Sequence, residues 1–340
     1  GGPNVARQIT FRAGVTETVP AYTVNQACGS GLQAIILAAQ QIALGQARVV
    51  LAGGTESMSR VPYFAEGARW GARMGNVDLV DGMYRDGFND PLSGLVMGET
   101  AENLARQYEI ARDEQDEYAL RSQQRAQAAI EGGKFDAEIV PLEVNGRKGE
   151  VKMFARDEHY RAGTTMADLT KLPTVFSKDG TVTAGNSSGI TDGAAATIVM
   201  SEEALNETGA APQARIVDYE VVGVAPEIMG IGPVPAVRAL LARQNLSLDD
   251  VELIELNEAF AAQSLADRYR ADANRIIDAA LADSTAWNRV AELSERFGLV
   301  AKSFHWGMAA LVIPLWALGW YMVMSGLSQR TGFSATPTLQ

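Results

Sequence analysis

Residues 25–40 read NQACGSGLQAIILAAQ. The run AYTVNQAC, at 21–28, has the β-branched content of a short buried strand, and from Gly29-Ser30-Gly31 onward apolar residues recur at helical spacing as far as Gly45. Gly45 is the expected C-cap, because glycine enters the left-handed region without a Cβ penalty. Cys28 therefore falls at a strand-to-helix elbow. Immediately downstream, ARVVLAGGTESMS at 47–59 predicts a second buried strand through Leu51 and a turn at Gly53-Gly54. Strand, helix and strand in this order predict an α/β fold.

Cys28 is the only cysteine among 340 residues. Read alone, such a residue is a small buried hydrophobe. At the head of a helix, however, unpaired N–H groups and the macrodipole favour a thiolate, and Gly29 and Gly31 let backbone and ligand approach closely. That context reads as a strained, exposed nucleophile. Neither histidine is an evident partner for it. His159 lies in the acidic run ARDEHYRAG and reads as a solvated surface residue; His305 precedes an apolar tail, placed to face lipid headgroups or to bind a cofactor. CGSG and AGG match neither a dinucleotide fingerprint nor a phosphate loop with its lysine.

Composition narrows the partners. With 47% hydrophobic and 21% charged residues the chain is of ordinary globular make-up. A formal charge of −12 argues against nucleic acid as a partner, since phosphate backbones need clustered Lys and Arg. A small anionic ligand such as a nucleotide thioester needs only a few local donors and stays open. A single cysteine excludes an internal disulfide, the lack of Cys/His clusters argues against a structural metal, and the cytoplasm is the expected compartment. The opening GGPNVARQITFRAG has neither a basic n-region nor an apolar h-region, so it does not read as a signal peptide.

Further along, residues 60–176 turn polar around one strong helical pattern, TAENLARQYEIARDEQDEYALRSQQRAQAAIEGG, with a break expected near Ile110 to Asp113. This predicts an inserted subdomain. Strand signals return in GTVTAGNSSGITDGAAATIVMS and ARIVDYEVVGVAP; the helix VPAVRALLARQN then leads to a further strand, DDVELIELNEAF. Beyond Leu265 the pattern changes to charged amphipathic helix. Trp306 to Met324 then runs nineteen residues without a charge, flanked by aromatic residues, which is long enough to span a bilayer; a buried core helix interrupted by Pro314 is the other reading.

VNQACGSGLQAI, AGGTESMS, MGETAENLARQYEIARDEQDEYALRSQQRA, GTVTAGNSSGITDGAAA, MGIGPVPA and ELNEAFAAQSLA, in this order, resemble the thiolases, the acetyl-CoA C-acyltransferases, over about residues 1–265. The resemblance implies the thiolase fold: two related mixed α/β halves in five layers with an inserted loop domain, usually a homo-oligomeric dimer or tetramer. On that basis 1–59 and 177–205 form the N-terminal half, 60–176 the loop domain and 206–265 the start of an incomplete second half. A helical segment at 266–298 and a hydrophobic tail at 299–340 follow. Acyl-CoA and CoA are the implied partners, as substrates rather than cofactors.

By the same resemblance Cys28 takes the acyl group of one acyl-CoA as a thioester, which splits a difficult condensation into two easier steps. Asn257 of NEAF holds the water of one oxyanion hole, and the Cys28 N–H belongs to a second. Ser188, followed by Gly189, matches the serine that contacts the pantetheine arm, and Met229 matches the acyl-pocket methionine. Taken singly, Asn257 also reads as a helix N-cap, and Ser188 and Gly189 as turn residues.

The chain departs from the family pattern as well. Thiolases carry a Gly-His-Pro histidine and a Cys-x-Gly-Gly cysteine downstream of NEAF, which activate the nucleophile and remove the substrate α-proton; this sequence has neither. Where many members have a histidine before the Met-Gly of the loop domain, Val96 stands here. The N-terminal edge of the first half is expected to be missing too. In the tail, ADANRIIDAALADSTAWNRVAELSERFG is similar to the N-terminal helix of secreted zinc aminopeptidases. GLVAKSFHWGMAALVIPLWALGWYMV is similar to the first transmembrane helix of bacterial di-haem cytochromes b, in which the histidine matching His305 is a haem ligand. The expectation is therefore a thiolase-type acyltransferase that is poorly active as a truncated chain. A membrane-tethered, non-catalytic CoA-binding or interaction protein is the alternative.

Overall fold

The computed structural model describes residues 2–145, 150–157 and 159–268. The helical segment beyond Arg268, His305 and the apolar run 306–324 lie outside the described residues. Among those described, no helix is long and apolar enough to cross a membrane.

The chain opens with α1 (Val5–Arg12), then α2 (Ser30–Ala43), and then β1 (Val49–Ser57). The helix expected after the elbow is present, and Gly45 beyond it has φ 69°, as a glycine terminator requires. The strand expected at 21–28 is not formed: before the isolated bridge at Gln26 and Cys28 the chain carries no ladder. β-Branched composition favours a pleated surface but supplies no neighbour, and a strand exists only where another offers its N–H and C=O groups. Gly53 and Gly54 do not turn either. Both lie within β1, which pairs antiparallel with β6 (Asp192–Met200), Gly53 opposite Ala196 and Gly54 opposite Ala195. A Cβ on Gly53 would overlap the Ala195 carbonyl oxygen, so glycine here serves close approach of two backbones.

Between these paired strands the inserted region carries β2 (Tyr63–Phe64), β3 (Val80–Asp81), α3 (Met97–Gln107), α4 (Arg112–Glu131), β4 (Leu142–Asn145), β5 (Val151–Phe154) and α5 (Met166–Thr170). The break foreseen in the long helical pattern separates α3 from α4. Glu109 has φ 54° there, and each helix begins with a glutamate, Glu99 or Glu114, accepting from the N–H of the residue that caps it. After β6 come α6 (Glu202–Thr208), α7 (Pro233–Gln244) and α8 (Ala261–Arg268). The strands expected at 214–226 and 249–260 form no ladder; the second carries only an isolated bridge of Phe260 with Ser187. Their apolar alternation sets a face, whereas pairing needs a neighbour that the described residues do not provide.

The main core gathers where α3 and α8 meet the turn Pro226–Ile231. Met97, Ala101, Leu104, Val182, Ile231, Val234, Phe260 and Leu265 are all buried there. A smaller cluster of Val237, Leu241, Val251 and Ile254 lies under α7.

Candidate active site

The elbow is held by its own polar side chains. Ala27, the residue before Cys28, has φ 46°, a conformation uncommon for a residue with a Cβ. Its N–H donates to Asn25 Oδ1 at 2.9 Å, and Ser30 Oγ both donates to the Ala27 carbonyl at 2.6 Å and accepts from the Gln26 N–H at 2.8 Å. This local strain, retained by three hydrogen bonds, presents Cys28 one residue before the cap of α2. The expected low thiol pKa is overturned, however. Removal from water is the dominant influence and pushes the Cys28 thiol far above its ordinary value, and the charge of Glu56 at the end of β1 pushes the same way. The helix terminus does not offset desolvation of the charged form.

A second set of residues converges on the loop 180–189. Glu102 of α3, buried, accepts from the Thr181 N–H at 2.9 Å, the Val182 N–H at 2.8 Å and the Thr181 hydroxyl at 3.0 Å. Asn186 accepts from the Thr183 N–H and donates to the buried carboxylate of Asp116, which is paired with Arg112 at 2.7 Å. The loop then docks on the NEAF segment. Ser188 N–H donates to the Ala259 carbonyl and Ala261 N–H to the Asn186 carbonyl, both at 3.0 Å. Ser188 and Gly189 are thus fixed within two residues of Asn257. Both amide atoms of Asn257 are buried without a hydrogen-bond partner among the described residues. An unpartnered buried amide has an energetic reason to be satisfied by something that binds.

Met229 packs against the main core, whose members include Met97 and Phe260. Phe260 meets Phe176 edge to face, and Phe176 fills the space where a side chain on Gly98 would stand. Val96 heads α3, with its N–H bonded to Glu99. Around Asn257 the electrostatics are unusual. Glu255 and Glu258 are exposed at the surface, yet desolvation by the neighbouring protein, then the Glu258 charge, pushes Glu255 up to about 7. Glu258 is raised by the same desolvation, opposed by the hydroxyl of buried Tyr118 that donates to it.

Of the five residues singled out from sequence, Ser188, Gly189, Asn257 and Met229 are brought to one region by the loop docking and the core. Cys28 is not brought among them. No hydrogen bond among the described residues ties it to the other four, but Glu56, whose charge it senses, pairs opposite Gly193, four residues past Gly189. His159 is at the surface, as its sequence reading expects. It is exposed, yet its imidazole lies against Gly189 so closely that a Cβ there would overlap the ring. Glu102 and Asp116, which hold the loop, looked like ordinary polar helix positions; their only signal in sequence is acidity on the otherwise buried face of α3 and at the head of α4.

Comparison with known proteins matches this arrangement to one family. The family model "Thiolase, N-terminal domain" matches residues 1–203 and "Thiolase, C-terminal domain" matches 210–277. The acetyl-CoA acetyltransferase of Pseudomonas aeruginosa is 53% identical over 265 residues, 78% of this chain and 67% of that protein. The beta-ketothiolase BktB of Cupriavidus necator is 52% identical over 263 residues, 77% of this chain and 66% of its own. Among solved structures, human mitochondrial 3-ketoacyl-CoA thiolase superposes with a TM-score of 0.75 at 42% identity, covering 90% of this chain and 76% of that one. A structure of the same human enzyme in complex with CoA gives 0.73 at 42% identity, with 90% and 75% covered. With a family model over more than half its length and relatives at this identity, the chain belongs to the thiolase family.

Proposed function

We propose that the protein is an acyl-CoA C-acyltransferase whose acyl carrier is Cys28. The sulfur attacks the thioester carbonyl, and the carbonyl electrons move to oxygen. Collapse of that tetrahedral oxyanion breaks the bond to the CoA sulfur, leaving acyl-Cys28, while CoA departs with the proton the thiol gave up. A water held by Asn257, and the Cys28 N–H, are the donors toward the developing oxyanions, and Ser188 with Gly189 receives the pantetheine arm. Met229 borders the acyl chain. The observation that carries this reading is the unpartnered amide of Asn257 beside a loop fixed by Glu102 and Asp116.

The raised thiol pKa and the single cysteine divide the reaction. Acyl transfer to Cys28 needs a base to take its proton, and the carbon–carbon step needs a second base at the substrate α-carbon. The family's Gly-His-Pro and Cys-x-Gly-Gly groups are not in this sequence. General acid–base groups contribute about 10²–10⁴-fold each, so the 340-residue chain is a slow acyl acceptor and not a turnover catalyst. The test is incubation with acetyl-CoA followed by intact mass measurement. One acetyl group is expected on the native chain and none on Cys28→Ala, with no steady-state thiolysis of acetoacetyl-CoA. Acetylation that survives Cys28→Ala would sink the assignment. Association with membranes through residues 306–324 is a separate proposal, and the thiolase reading does not depend on it.

A further inference from the structure

The segment that carries His159 is fastened to the loop domain at several points. The His159 N–H donates to Asp157 Oδ1 at 2.8 Å, the Arg161 N–H to Gln123 of α4 at 2.9 Å, and the Gly163 N–H to Gln127 at 2.8 Å. These bonds hold the imidazole on Gly189, which is half-buried, while the ring itself remains exposed. A Cβ on Gly189 would stand 2.8 Å from Nε2 and 3.3 Å from Nδ1 and would overlap Cε1, so the Cε1 edge of the ring is turned toward a position that only glycine leaves open. Next to it, the Ser188 N–H is used by Ala259, whereas the Ser188 hydroxyl makes no hydrogen bond among the described residues. A free hydroxyl from the core and an exposed imidazole from the inserted domain therefore flank one short strip of surface.

We infer that His159 is a specificity-determining residue that grips the pantetheine arm of the CoA thioester from the side opposite Ser188. This rests on the acyltransferase reading and extends it. A pantetheine arm is a narrow chain bearing two amides, and it is recognised by donors and acceptors placed along apolar walls. The imidazole supplies both an N–H donor and a flat wall. It also supplies an imidazole to a site whose other expected one is absent, since Val96 replaces the histidine before Met97-Gly98. Met97 and Phe260 share a core cluster, and Phe260 lies opposite Ser187, so the two positions belong to one neighbourhood.

The test uses the full chain and two probes, coenzyme A and 3′,5′-ADP, the second of which lacks the arm. Equilibrium binding of CoA is expected to weaken about five- to tenfold in His159→Ala, the size of one hydrogen bond with its packing, while 3′,5′-ADP binding stays unchanged. His159→Gln, which keeps a donor, is expected to recover most of the loss. Gly189→Ala is expected to displace the ring and give the same arm-selective loss, with no further loss when combined with His159→Ala. CoA binding that His159→Ala leaves intact, an equal weakening of both probes, or a glutamine variant as weak as the alanine one would each overturn the inference. A native chain that binds no CoA at all would overturn the acyltransferase reading with it.

Discussion

Cys28 and Asn257 show how differently two site residues are poised. Because burial and the Glu56 charge both raise the thiol pKa, alkylation by iodoacetamide at pH 7 is expected to be slower than for a free model thiol. The rate should climb steadily as pH rises through 9 and beyond; a plateau below pH 8 would show a thiolate that the geometry does not support. Asn257 behaves in the opposite sense. Its amide has no partner to lose, so Asn257→Ala is expected to leave stability unchanged or raise it by about 1 kcal/mol, measured by urea unfolding. The same substitution should slow acetylation of Cys28 by about 10²–10³-fold. The position of Cys28 at an elbow was legible in sequence because glycines and helical periodicity are local signals. The direction of its pKa was not, because desolvation depends on what packs around it, and that includes a glutamate twenty-eight residues away.

The longer helices were legible close to their ends, since Gly45, the break before Arg112 and Asn245 at the end of α7 are stop signals written in the chain; α1, α5, α6 and α8 carry too few periodic apolar positions to stand out and were not foreseen. Strands were legible only where a partner exists, so β1 and β6 appear while 214–226 and 249–260 do not. The polar clasps between elements were not legible at all, and they carry two expectations. Glu102 holds α3 to residues 181–182 with both oxygens. Glu102→Ala leaves two N–H groups without their acceptor and is expected to cost about 2–4 kcal/mol in chemical unfolding. A loss under about 0.5 kcal/mol would show the clasp to be incidental. Near α7, Arg243 is clamped by Asp218, at 2.7 Å, and by Glu220. Burial pushes Asp218 up, but hydrogen bonds from Arg243, Gln244 and the Tyr219 N–H outweigh it and hold its pKa below the ordinary value; Glu220 is held low first by the Val221 N–H and then by Arg243. Depressed carboxylates stabilise the fold above their unfolded pKa values, about 3.9 and 4.3, and that stabilisation is lost as pH falls through the folded values. Native protein should therefore lose more stability between pH 5 and pH 3 than Arg243→Met does.

At the scale of the molecule, family membership could be read from motif order, since several collinear signatures identify a fold that no single one would. The tail is a different matter, and its expectation is physical: an apolar run between Lys302 and Arg330 should carry the full chain to membranes or aggregates, and a chain ended at Leu265 should lose that tendency. Equal partition of both into the soluble fraction would refute a spanning helix. The docking of the 186–188 loop on residues 259–261 has a further consequence, for the order in which the protein comes into being. Glu102 and Asp116 have left the ribosome well before the loop they grip, but the Ser188 N–H has no acceptor until Ala259 has been made. At about 5–20 residues per second that interval is on the order of several seconds. Throughout it Val182 and the apolar face of α3 lack the cover that Phe260 and Leu265 later supply, so the nascent chain presents its site-forming surface to chaperones and proteases before it can present it to a substrate.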